Sequence, residues 1–186
     1  MTTGALVLAA GEGRRFGGTK QLAATGGRPL LEHALEAVTA VSPRVVVLGH
    51  AADEIRAGVD LQGAEPVVCE RWREGQSASL RHGLAALAGA DAVLVVLGDQ
   101  PGITAAAVHA VLAAGGDEDA VRATYDGVPG HPVLLRRALL DRAGELTGDS
   151  GFRDLLEGAR VRLVEAGHLA DPADVDTPED LAARAP

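Results

Sequence analysis

Hydrophobic positions along this chain alternate between two spacings. Short apolar runs at Ala5–Ala9, Arg44–Leu48, Glu65–Cys69 and Ala92–Leu97 predict strands, the first buried on both faces as in a parallel sheet and the second also buried. Pro66 hints that the third of these lies at an edge. Between the runs, Leu31, Ala34, Leu35 and Val38 recur at helical spacing and predict a helix over Pro29–Val41. Further helices are expected over Ala52–Ala57 and Ser77–Leu87, and from a Thr104 N-cap through Ala114. The second half predicts strands at Ala120–Thr124, Val133–Leu135 and Val161–Val164. Short helices are expected at Leu139–Ala143 and Gly151–Leu156, and Thr177 caps a closing helix that starts at Pro178. Strand–helix alternation in the first half implies right-handed crossovers and a parallel sheet, whose ligands bind beyond the strands' carboxyl ends.

Composition narrows the picture. The 186 residues suit one domain over 1–186 with a sizeable core. Hydrophobic residues make up 47% but aromatics only 2%, so Ala, Val and Leu must fill that core. A net charge of −9 argues against nucleic-acid binding, and an anionic ligand would need local cations and a metal ion. One cysteine, Cys69, excludes an internal disulfide or a cysteine-based zinc site, and its place at a strand end predicts burial. No signal-peptide pattern or membrane-length apolar run is visible, so the expected location is the cytoplasm.

The most informative stretch is Leu6–Leu22, LVLAAGEGRRFGGTKQL, an apolar strand entering a glycine-rich loop with three cations. Backbone amides of such a loop (Gly11, Gly13, Gly17, Gly18) can cradle an anion that Arg14, Arg15 and Lys20 neutralise. It is not a dinucleotide fingerprint, since Phe16 stands where the third glycine belongs. Nor is it a P-loop, since Gln21 follows Lys20. Gly98-Asp99-Gln100-Pro101 follows a strand at the same predicted edge. A carboxylate there suits Mg²⁺, although an Asx turn would explain it too. Asp176 precedes the Thr177 cap and is either a second metal ligand or part of the helix start. Ser77 and Ser79 open a helix, where they read a base or ribose or simply cap it. His131, between Gly130 and Pro132, either reaches substrate or packs in a turn. Gly148–Arg153 is a second anion site or plain capping.

These pieces resemble the MobA-like nucleotidyltransferases, and among them the molybdenum cofactor cytidylyltransferases. The resemblance rests on LAAGEGRRFGGTKQL, GQSASL with Gly83-Leu84, GDQP, GHPVLL, GDSGFR and DVDTPEDL. It implies a Rossmann-like three-layer α/β/α sandwich with a mostly parallel sheet, of the nucleotide-diphospho-sugar transferase type. It also implies a reaction that joins CMP from CTP to the terminal phosphate of molybdopterin cofactor, releasing pyrophosphate. By the same resemblance Leu8, Ala9, Ala10 and Gly11 lie near the base, and Ala10, where guanylyltransferases carry glycine, favours cytosine. Gly13, Arg14 and Gly98 join the nucleotide site, Arg15 and Lys20 hold the triphosphate, and Ser79 meets base or ribose. Asp99, with Asp176, binds Mg²⁺ or Mn²⁺. Gln100, Pro101, His131, Asp149 and Arg153 are the expected acceptor residues. Gly13 and Phe16 depart from the usual serine and methionine. Other readings are a GTP-dependent molybdopterin enzyme, a sugar- or polyol-phosphate cytidylyltransferase, or a phospholactate guanylyltransferase. A non-catalytic molybdenum cofactor chaperone serving a xanthine-dehydrogenase-type partner is a reading of another class.

Overall fold

The computed structural model describes residues 1–148 and 151–184. Its strands are β1 (Thr3–Ala9), β2 (Ala24–Thr25), β3 (Arg28–Pro29), β4 (Arg44–Leu48), β5 (Glu65–Val68), β6 (Ala92–Leu97), β7 (Ala120–Tyr125), β8 (Val128–Arg136) and β9 (Val161–Glu165). The helices are α1 (Leu30–Ala37), α2 (Ala52–Gly58), α3 (Gln76–Ala86), α4 (Ala105–Ala113), α5 (Arg137–Arg142), α6 (Gly151–Leu156) and α7 (Pro178–Ala182). Seven strands form one sheet in the order β5-β4-β1-β6-β8-β7-β9. The neighbours β5, β4, β1 and β6 are parallel, and only β8 runs against the rest of the sheet.

Period-two alternation in β1 sorts its side chains between two cores. Ala5, Val7 and Ala9 pack with Leu31 and Leu35 of α1, Ile55 of α2 and Val108 of α4. Leu6 and Leu8 pack on the opposite face with Leu80 and Leu84 of α3, Leu139 of α5 and Phe152 of α6. Helices on both faces make the expected three-layer α/β/α sandwich. Leu, Ile and Val supply the largest fully buried side chains, as the scarcity of aromatics requires, and Cys69 is buried. Among the described residues no helix is long and apolar enough to cross a membrane.

Two elements, α1 and β8, differ from their predicted bounds by more than two residues. Helix α1 stops at Ala37 instead of Val41. There the Thr39 hydroxyl donates to the Glu36 carbonyl at 2.9 Å, competing with the helix ladder. Pro29 is its N-cap and belongs to the β2–β3 hairpin, which the pattern did not predict. Strand β8 is nine residues long and takes in Pro129, Gly130 and Pro132, where only Val133–Leu135 was expected. A register shift between Arg122 and Thr124 of β7 accommodates them. Strand β5, with Pro66, does lie at the sheet edge.

Candidate active site

The β1 loop and the β6 turn meet at the carboxyl edge of the parallel strands, on the walls of one cavity of about 680 Å³. That volume lies in the range of small-molecule pockets. Every residue that the resemblance assigns to nucleotide or metal lines it, whereas Gly17, Gly18 and Ser77 are not among its lining residues. Two internal contacts shape the loop. The amides of Phe16 and Gly17 donate to the Gly13 carbonyl at 2.9 and 3.0 Å. The side-chain amide of Gln21, buried behind the loop, donates to the carbonyls of Ala9 and Gly11, both at 2.9 Å. Gln21 was visible as part of the motif, but its role in pinning the loop was not. Gly13 has φ +67°, and a Cβ there would come within 2.7 Å of the Gly18 carbonyl oxygen. Serine at this position would need a different loop path, which accounts for the departure from the family pattern.

Lys20 is the centre of the site. Its Nζ donates to Asp99 Oδ2 at 2.6 Å and to Asp176 Oδ1 at 3.0 Å. Arg15 donates to the other Asp176 oxygen at 2.8 Å. Burial pulls the Lys20 ammonium towards neutrality, but the Asp99 charge and the bonds to both carboxylates outweigh it, so its pKa lies above the usual lysine value. Asp176 is free for this role because its neighbours start the helix. Thr177 and Asp180 form the capping box, and Asp180 also accepts from the Asp176 amide at 3.0 Å. The Val175 amide donates to the Asp99 carbonyl at 2.9 Å, which holds this late segment against the β6 turn. Arg14 turns outward to Glu12 at 2.7 Å.

Asp174 was overlooked in the sequence. Its carboxylate accepts from Gln100 Nε2 at 2.8 Å. Crowding by neighbouring atoms, then the Asp99 charge, raises its carboxyl above the usual range. Two-residue spacing from Asp176 in an extended segment, which puts both on one side, was the available signal.

The expected acceptor residues are not gathered together. Gln100 is buried, bonded to Asp174 and to the Pro172 carbonyl, and lines a second cavity of about 520 Å³. Pro101 is not among the residues lining the main cavity, and Arg153 lines a third. Asp149 lies outside the described residues. His131 is buried edge-on against Phe152 with ring centroids 5.0 Å apart, as a packed histidine. Burial, and then the Arg122 charge, pushes its pKa down to about 3. The unfolded chain therefore takes up a proton here that the folded chain refuses. Stability from this group is present above about pH 6.5 and is lost as pH falls towards 3, at up to about 1.4 kcal/mol per pH unit. Urea unfolding at pH 7, 6, 5 and 4 should show this slope, and His131→Leu should flatten it. Ser77, fully buried, donates to the Thr147 carbonyl at 3.2 Å, and Gly75 is the N-cap of α3. Ser79 faces the cavity.

A mostly parallel sheet with this edge cavity defines a nucleotide-diphospho-sugar transferase type of Rossmann-like fold. The chain belongs to the MobA-like NTP transferase domain family, whose model matches residues 5–166. It is 33% identical to nicotine blue oxidoreductase of Paenarthrobacter nicotinovorans, over 95% of this chain and 93% of that protein. A bifunctional GlmU protein of Sphingopyxis alaskensis is 38% identical over 89% of this chain, which spans only 38% of GlmU. The solved homologue of Mycobacterium tuberculosis Rv0371c from Mycobacterium sp. strain JC1 superposes with TM-score 0.84 at 35% identity, covering 98% and 96% of the two chains. Rv0371c of M. tuberculosis in complex with manganese gives 0.83 at 28%, covering 99% and 98%.

Proposed function

We propose that this chain transfers CMP from CTP to the terminal phosphate of molybdenum cofactor and releases pyrophosphate. The observation that carries the reading is the Lys20 ammonium held between Asp99 and Asp176, beside Arg15, on the wall that the glycine-rich loop completes. Family membership supports nucleotidyl transfer, and Ala10 in LAAG supports cytosine.

The residues present fit a divalent ion. Two carboxylates converge on one point, and no larger group of metal-ligating side chains is found among the described residues. Mg²⁺ asks for one or two carboxylates, with phosphate oxygens and water completing its shell. Asp99 and Asp176 would hold Mg²⁺ or Mn²⁺, and the ion would supply charge neutralisation at the triphosphate. The manganese complex of the mycobacterial relative supports such a site.

The chain's own residues have three tasks. Loop amides and Arg14 hold the outer phosphates. Lys20 and Arg15 offset charge on the departing pyrophosphate as an acceptor phosphate oxygen attacks the α-phosphorus in line. The walls orient the nucleoside. In the free protein Arg14, Arg15 and Lys20 are each paired with carboxylates. Nucleotide binding is therefore an exchange of partners, from carboxylate to phosphate.

The test is incubation with Mg²⁺, purified molybdenum cofactor and CTP, GTP, UTP or ATP in turn, with mass analysis and a pyrophosphate assay. A cytidylyl adduct with CTP alone is expected. A guanylyl adduct would move the assignment to a GTP enzyme. Cofactor binding without pyrophosphate release would favour the chaperone reading, with delivery to a xanthine-dehydrogenase-type partner. Turnover of nicotine blue in a parallel assay, with no adduct, would favour the activity named for the Paenarthrobacter relative.

A further inference from the structure

The cavity runs along the carboxyl edge past β6, β1, β4 and β5. Asp99 and Lys20 stand at its β6 side. Trp72 also lines it, on a short 3₁₀ turn that follows β5. Gly49, against which Trp72 packs, follows β4, which lies two strands from β6, roughly 10 Å at about 4.8 Å per strand. Trp72 is the chain's only tryptophan; it is partly buried, one side packed against the core around Leu6 and Leu80, and it lines the cavity.

The ring is held in place from behind. The Trp72 amide donates to the Cys69 carbonyl at 3.2 Å, and the His50 ring meets the indole edge-on at 5.5 Å. Gly49 lets the backbone come close, since a Cβ there would stand 2.8 Å from Trp72 Cβ and 2.6 Å from the Ala10 carbonyl oxygen. The His50 amide donates to that same Ala10 carbonyl at 3.1 Å. The indole is thus built onto the base of the glycine-rich loop. Its face carries the Arg73 guanidinium, 4.5 Å from the ring centroid. Arg73 is exposed, lines the cavity and makes no ion pair among the described residues, unlike the three cations at the phosphate end. Guanidinium and nucleobase planes are alternative partners for one aromatic face.

We infer that Trp72 is the shelf on which the nucleobase stacks, and that Arg73 covers it until a base arrives. This rests on the nucleotide reading above. Stacking accepts any base, so Trp72 separates nucleotides from bare polyphosphates, and discrimination among bases falls to its neighbours in the cavity, Ala10 and Ser79.

Because the tryptophan is unique, its emission reports on this one place. Titration with CTP and Mg²⁺ should quench it, whereas pyrophosphate and Mg²⁺, which lack a base, should bind with little change. Binding itself is followed by calorimetry. Trp72→Ala should weaken CTP by about fivefold to a hundredfold, the range for losing one base–aromatic stack, and leave pyrophosphate affinity unchanged. Trp72→Phe, which keeps an aromatic face, should stay within about threefold of the parent and guards against a folding artefact. CTP that binds without quenching, or binds Trp72→Ala as tightly as the parent, would overturn the shelf while sparing the nucleotide site. Failure of both CTP and pyrophosphate to bind would overturn both.

Discussion

Lys20→Ala should lower turnover at least about a hundredfold, as removal of one preorganised electrostatic stabiliser does. The reason lies in where the ammonium sits. It is within hydrogen-bond distance of both acidic residues, and its side chain is only 12% exposed. Its raised pKa keeps it charged throughout the working range, so Lys20 should add no pH dependence to turnover between about pH 6 and 9. Its own stabilising effect is fully present below the ordinary lysine pKa of 10.5, and is lost only as pH rises through the higher folded value. The variant should still fold. Of the two carboxylates it leaves behind, Asp176 keeps its ion pair with Arg15, and both retain some access to water. Steady-state pyrophosphate release at saturating CTP, with a thermal melt alongside, checks both expectations. An active variant would remove Lys20 from the chemistry.

Asp99→Asn should cost a similar factor by a different route. Asparagine keeps the size of the side chain but supplies no charge for a divalent ion, while Lys20 retains its bond to Asp176. Nucleotide held by Arg15, Lys20 and the loop amides should survive the change. The loss should therefore fall on kcat, with KM for CTP moving less than about tenfold. Added Mn²⁺ should not restore the rate. A variant with unaltered kcat and a raised KM would make Asp99 a nucleotide-binding group instead.

Much of this was legible in the sequence because local chemistry and global fold agree there. Short apolar runs alternating with helical spacing read as strands of a parallel sheet, and the carboxyl ends of such strands face one edge. That logic places the Gly11 loop and Asp99 on one edge from the sequence alone. The rest depended on contacts that no spacing encodes. Pro129, Gly130 and Pro132 disguised most of β8, because a bulge in the partner strand absorbs residues that otherwise break a ladder. The hairpin Ala24–Pro29 turns on Gly26-Gly27, a readable signal that the strong helical spacing after it overshadowed. Asp174 was masked by the helix start, and its link to Gln100 spans 74 positions. Trp72 belongs to no spacing pattern, and its rarity, one tryptophan in the chain, was the signal passed over. His131 reads the same in sequence whether it packs or reaches a ligand; in the structure it is buried edge-on against Phe152.

The most direct measurement concerns the partner exchange at Lys20. Mn²⁺ binding is followed by the loss of its free-ion paramagnetic resonance signal, with and without CTP. With Lys20 seated between the carboxylates, the ion alone should bind weakly. Adding CTP, which draws Lys20 towards phosphate, should tighten binding at least about tenfold, and Asp99→Asn should abolish the gain. Equal Mn²⁺ affinity with and without CTP, unchanged by Asp99→Asn, would contradict a shared site for metal and triphosphate at this edge.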